Sequence, residues 1–203
     1  MLDSSTFRTV AELHETAARP AEESPPALPG GADLVLAIRD RLGAAVAPAA
    51  DAPFDFGAVR RALEDLPGVT TTKIIPGFGL QETAPVHVMV LTLMQAVRQA
   101  LGQPFAHEVF WERTEAALTG VFVGLREQRD LPYVAFHEEG PDRTRYTYDL
   151  LFSLCDEETG GRPHVVAARV HVTLGLGPDL VYGLAAGDTV SCALRVDAVG
   201  LRG

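Results

Sequence analysis

The sequence predicts an α+β fold in which helices come first and an antiparallel sheet of about six strands follows. From about residue 34 to residue 125, apolar residues recur every three or four positions, the period of a helix with one buried face. Beyond Arg129 the period drops to two, the signature of strands. The strand segments follow one another through short turns, which pairs them antiparallel. No internal repeat interrupts this order.

Residues 1–32 form the first unit. The run from Ala18 to Gly31 is rich in Pro, Glu and Gly and is expected to be a flexible tail, with a short helix near Val10 to Ala18. The folded domain is expected over residues 33–203. Leu34, Val35, Ile38 and Leu42 fall at helical spacing behind Asp33 as N-cap. After an Ala/Pro-rich link, Phe56, Val59, Leu63 and Leu66 repeat in the same way, with Asp55 as N-cap and Pro67-Gly68 as stop. Both helices carry a charged back: Arg39, Asp40 and Arg41 in one, Arg60, Arg61, Glu64 and Asp65 in the other. Each should lie on a flat apolar surface.

Val69 to Ile75 is β-branched and reads as a strand, broken by Pro76 to Gly79. From Pro85 to Leu101 runs an apolar helix, with Val86, Val90, Leu93, Val97 and Leu101 among its apolar positions and Gly102 and Pro104 at its end. It is apolar around most of its circumference, so deeper burial than that of the first two helices is expected. A fourth helix, from about Ala106 to Leu125, sets Trp111, Thr114, Leu118, Val121 or Phe122, and Leu125 on one face.

Tyr133 to Glu138 reads as a short strand. Arg145 to Cys155 alternates Tyr146, Tyr148, Leu150, Phe152 and Leu154 against Arg145, Thr147, Asp149, Leu151 and Ser153. A turn at residues 156–161 leads to Val165–Leu176, where Val166, Ala168, Val170, Val172 and Leu174 oppose Arg169, His171 and Thr173. A brief strand at Leu180 to Leu184 and a turn at Gly187-Asp188 precede Thr189–Val199, with Val190, Cys192, Leu194, Val196 and Ala198 on one face. Three of these strands are long enough to cross a bilayer at a tilt, which takes about 9–11 residues, and their alternation suits lipid on one side and water on the other. An ordinary sheet with one buried face alternates in the same way.

Formal net charge is −10 with a pI near 5.0. That balance excludes phosphate-led nucleic-acid binding and electrostatic capture by anionic lipid. Lys73 is the only lysine. A membrane partner would have to be met through apolar burial or zwitterionic headgroups. The N-terminus has no apolar h-region, so synthesis in the cytoplasm without a signal peptide is expected. Cys155 and Cys192 form no CxxC motif, and free thiols are their ordinary state. Cys155, at a strand end beside a turn, is also a candidate for acylation.

Phe54-Asp-Phe56 with the helix Val59–Leu63, Val109-Phe-Trp111 with Thr114 and the helix ending at Leu125, and above all Arg145–Leu154 followed by Glu158-Thr-Gly-Gly161 resemble the Cyt-type cytolytic toxin family. That family comprises crystal endotoxins, fungal volvatoxins and related bacterial virulence factors. The order of elements agrees from roughly residue 33 to 199, and the motifs concentrate between 105 and 175. The resemblance implies a three-layer α/β/α domain with an antiparallel sheet between helical hairpins. It also implies cytolysis without enzymatic chemistry, in which helices move off the sheet, strands enter lipid and copies self-associate on the membrane. The strand faces named above would insert, with the 86–101 helix as a second contributor. The helices at 34–46 and 55–66 would act as the cover, Trp111 is a candidate interface anchor, and the tail is a candidate propeptide cleaved at Arg19. This chain is shorter than the crystal toxins and poorer in lysine. The alternative is a non-lytic module of the same fold carrying a fatty acid or other apolar ligand.

Signals for catalysis are weak. His14, His87, His107, His137, His164 and His171 show no HExxH spacing, and His164 and His171 fall on opposite faces of one strand. Gly77-Phe-Gly79 lacks the third glycine of a dinucleotide loop, and no P-loop, GxSxG elbow or calcium loop is present. Glu138, Glu139 and Asp142 read as a solvated acidic loop. No cofactor or metal is expected.

Overall fold

A computed structural model of the chain describes residues 8–9, 31–45, 53–102, 108–131, 133–154 and 162–203. The predicted helix at 10–18, His14, Arg19, His107, Cys155 and the turn at 156–161 lie outside them. The elements are β1 (Arg8–Thr9), α1 (Gly31–Ala45), α2 (Phe56–Leu63), β2 (Thr70–Pro85), α3 (Val86–Leu101), α4 (Glu108–Val123), α5 (Leu125–Gln128), β3 (Val134–Glu139), β4 (Thr144–Leu154), β5 (His164–Leu174), α6 (Pro178–Val181) and β6 (Thr189–Arg202).

β4, β5, β6 and β2 lie side by side in that order, each antiparallel to the next. On the outer side of β4, β3 pairs antiparallel along Thr144–Tyr148 and the two-residue β1 pairs parallel at Leu150–Leu151. The antiparallel sheet is therefore five-stranded, and β1 supplies the sixth segment. The predicted strand at Leu180–Leu184 is absent: Pro178 opens the short helix α6, where its fixed φ suits a first turn.

Helical layers cover both faces, giving the expected α/β/α sandwich. α3 packs with α4 over one face, around Tyr146, Tyr148, Leu150, Phe152, Val166, Val170, Val172, Leu174, Val190, Leu194 and Val196. α1 and α2 cover a smaller cluster on the other face, where Val35, Ile38, Leu42, Val59 and Leu63 meet Leu151, Val165, Ala167, Val199 and Leu201. Asp55 caps α2 as its sequence predicts, accepting the Ala58 N–H at 2.9 Å. α3 is buried at nine positions, including Val86, Val90, Leu93, Val97 and Leu101, while His87 and Gln95 face solvent. Gly200 permits its close approach: a Cβ there would overlap the Ala100 carbonyl oxygen.

Two boundaries differ from the sequence expectation. β2 does not stop at Pro76 but continues to Pro85. A bulge between Ile75 and Phe78 absorbs the proline, Gly77 takes the left-handed φ of 63°, and its N–H donates to Asp197 Oδ1 at 2.8 Å. The fourth helix divides at Gly124 into α4 and α5.

Candidate functional site

The strand faces singled out by alternation form one surface. β4 and β5 pair without a register shift from Thr144↔Leu174 to Leu154↔His164, and β5 and β6 from His164↔Arg202 to Leu174↔Cys192. Side chains opposite one another therefore share a face across all three strands. Tyr146 lies beside Val172 and Leu194, Tyr148 beside Val170 and Val196, Leu150 beside Ala168 and Ala198, and Phe152 beside Val166 and Gly200. Leu154, at the strand end, is also buried. The surface carries no charged side chain through this span.

Its cover is not the pair of helices expected. α1 and α2 sit on the opposite face, and the apolar surface is closed by α3 and α4. Strand parity decides this, because Leu151, Val165, Ala167 and Val199 are odd-numbered partners of the even-numbered insertion candidates. Trp111, 9% exposed, lies within the α3/α4 layer, with the Arg98 guanidinium 4.5 Å from its ring centroid and Phe110 edge-on at 4.8 Å.

Tyrosines tie the layer to the sheet. Tyr148 donates its hydroxyl to the Val121 carbonyl at 2.9 Å, and Tyr133 donates to Gln128 Oε1 at 3.1 Å. Gln128 Nε2 in turn donates to the carbonyls of Gly120, Val121 and Gly124, satisfying the C-terminal end of α4. The Tyr146 hydroxyl is buried and finds no hydrogen-bond partner among the described residues. Burial pushes the phenols of Tyr146 and Tyr148 well above the ordinary tyrosine range.

The opposite face carries a polar row that alternation alone only hinted at. Asp149, Arg169 and Asp197 are register partners on β4, β5 and β6 and are all buried. Arg169 makes a two-pronged ion pair with Asp149, Nε to Oδ1 and an Nη to Oδ2, both at 2.8 Å. Burial raises the Asp149 pKa, partly offset by Arg169. Beside this row, His137 Nε2 lies 2.7 Å from Thr147 Oγ1, which is 2.9 Å from His171 Nδ1. His171 Nε2 is 4.0 Å from Asp197, which also binds Arg195 at 3.1 Å. Desolvation lowers the His171 pKa, with Asp197 opposing. His164 falls on the other face, as its spacing requires. Glu138 and Glu139 form ion pairs with Arg143 and Arg129. Cys192 is a buried free thiol. Among the described residues, no cluster of His, Cys, Asp and Glu could hold a metal ion.

The sequence model of the family described as Bacillus thuringiensis toxin matches residues 44–196. Among individual proteins, the chain is similar to the Type-2Aa cytolytic delta-endotoxin of Bacillus thuringiensis subsp. kyushuensis, 25% identical over 148 residues that make up 73% of this chain and 57% of that one. It is likewise similar to the Type-2Bb cytolytic delta-endotoxin of subsp. jegathesan, 24% identical over 72% of this chain and 56% of that one. The match thus spans little more than half the length of these curated relatives. Among solved structures, a delta-endotoxin superposes with a TM-score of 0.79 at 22% identity, covering 91% of this chain and 88% of that one. The activated Cyt2Ba monomer from Bacillus thuringiensis subsp. israelensis gives 0.77 at 20% identity, covering 86% and 92%. Those structures share the fold, the family model covers most of the chain, and the motif resemblance is borne out: this protein belongs to the Bacillus thuringiensis toxin family, among the cytolytic delta-endotoxins.

Proposed function

We propose that this chain permeabilises lipid membranes as a cytolytic toxin, using the apolar face of β4, β5 and β6 after the α3/α4 layer moves off it. The observation that carries this reading is the two-sidedness of those strands. They are 11, 11 and 14 residues long, against the ~9–11 needed to cross a bilayer at a tilt. One face is apolar throughout, and the other holds the Asp149–Arg169–Asp197 row at mid-strand. A strand assembly in lipid needs that division, with the apolar face toward acyl chains and the charged row toward water. Among the described residues no helix is long and apolar enough to span. α3 contributes at the interface through Val86, Val90, Leu93, Val97 and Leu101, and Trp111 anchors at headgroup depth once Arg98 releases it.

The acidic net charge directs the protein to zwitterionic lipid, met extracellularly and followed by self-association on the membrane. Residues 1–32 act as a propeptide cut after Arg19, and the 33–203 domain is the lytic unit. Cys155 is a site for acylation. No step requires a catalytic residue, a metal or a cofactor. Carriage of an apolar ligand by the same fold has no specific observation in its favour.

Dye release from phosphatidylcholine vesicles, by intact protein and by protein cut after Arg19, tests the activity. Leakage by either form is expected, with a gain on cutting. An environment-sensitive dye on Leu150→Cys or Leu151→Cys, in a Cys155→Ser/Cys192→Ala background, tests the face. The label at 150 should shift to the blue on vesicles and the label at 151 should not. Absence of both binding and leakage on phosphatidylcholine and on anionic vesicles would overturn the reading. Equal shifts at the two positions would overturn the assignment of the face.

A further inference from the structure

We propose that β2 is a self-complementary edge on which a second copy of this chain docks antiparallel, forming a two-fold dimer with one continuous sheet. This contact involves none of the residues assigned to membrane entry. Among the described residues β2 pairs only with β6, so its outer side carries unpaired main-chain groups along Thr70–Pro85. The other edge of the sheet is shared by β3 and β1 on the outer side of β4. β2 is also mostly exposed on its faces, and Ile74 is 48% exposed. Natural edges are guarded by lysine, proline and bulges. Those of β2, at Lys73, Pro76 and its two bulges, occupy only its first half.

Charge selects the occupant and the register. Lys73 and Glu82 are the only charged residues of β2, both are exposed, and neither makes an ion pair among the described residues. When β2 is laid antiparallel on itself with Lys73 opposite Glu82, Ile74 falls opposite Gln81 and Ile75 opposite Leu80. Thr70 then falls opposite Pro85, so the strands overlap along their whole length. The axis passes between Gly77 and Phe78, so each pairing occurs twice, as a two-fold interface requires.

The side-chain faces agree. Lys73, Ile75, Leu80 and Glu82 pair in β6 with Gly200, Ala198, Leu194 and Cys192, on the α3 side of the sheet. Ile74 and Gln81 pair with Val199 and Ala193, on the other side. A slip of one residue would set α3-side residues against residues of the opposite side and separate the charges. Pro76 and Gly77 fall beside the axis, within the bulge, where the Gly77 N–H is already committed to Asp197.

An interface of one strand edge is small, so the dimer should form in the micromolar range. Sedimentation velocity of the full chain at low salt, over about 1–100 µM, reads it. The native protein should pass from monomer to dimer. Lys73→Glu and Glu82→Lys each set like charges opposite one another twice and should raise Kd about tenfold or more. The double reversal, Lys73→Glu with Glu82→Lys, should restore native dimerisation. Both side chains are exposed, and unchanged far-UV circular dichroism and Tm would show that the variants fold. A monomer at every concentration, a dimer indifferent to the single reversals, or a double reversal that fails to restore it would overturn the proposal.

Discussion

The two faces of the central sheet are built from the same strands, yet they are different surfaces. Under α3 and α4, β4, β5 and β6 present tyrosine, phenylalanine, leucine, valine and alanine from one end to the other. Under α1 and α2 the same strands are apolar at one end only. Beyond Leu151, Val165, Ala167 and Val199 they carry Asp149, Arg169 and Asp197, then Thr147, His171 and Arg195. A sheet buried on both sides does not need that charge. Apolar replacements of a buried ion pair are often neutral or stabilising. The row therefore points to a state in which this face meets water while its neighbour remains in an apolar medium.

The largest expected effect comes from breaking the charged row. Arg169→Met leaves Asp149 buried without its two-pronged partner and should cost about 3–5 kcal/mol in denaturant unfolding. Asp149→Leu combined with Arg169→Met should recover most of that loss. A single Arg169→Met change that is neutral would show that the row is solvated and that the contrast between the faces is weaker than described. A smaller effect separates two adjacent tyrosines on the apolar face. Tyr148→Phe removes the bond to the Val121 carbonyl and should cost about 1 kcal/mol. Tyr146→Phe removes a buried hydroxyl with no partner and should leave stability unchanged or raise it. Equal losses at both positions would contradict the geometry.

The smallest effect is pH dependence on the charged face. Burial lowers the folded-state pKa of His171, with Asp197 opposing and Arg169, Arg195 and His137 assisting. A lowered folded pKa stabilises the fold above the ordinary histidine value of about 6.5, and that contribution is lost as pH falls through the folded pKa. Tm should fall by a few degrees at most on acidification from about pH 7.5 to 5, less so in His171→Asn. Asp149, raised by burial, acts in the opposite sense in the carboxylate range.

Much of this architecture was legible in local pattern. The three long strands, the deep burial of the 86–101 helix and the Asp55 cap follow from periodicity and side-chain chemistry. β2 and α6 were not legible. Pro76-Gly77 reads locally as a break, and only pairing with β6 and the Asp197 carboxylate carry the strand through it. Leu180–Leu184 is apolar enough for a strand, but Pro178 turns it into a helix. The role of Gln128 had no signal, because a lone glutamine acquires meaning only when three carbonyls converge on it.

The sequence by itself determined that the chain alternates, and so that each long strand has one apolar and one polar side. A period of two follows from backbone geometry and is present wherever the residues are. Which helices cover which side was decided only in the folded chain. Amphipathic helices such as α1 and α2 fit any flat apolar surface, and their sequences do not say which one. The choice is made by strand register and by Gly200, which lets α3 approach the sheet more closely than a residue with a Cβ would allow. α1 and α2 take the remaining apolar patch, and the charged row lies beside it.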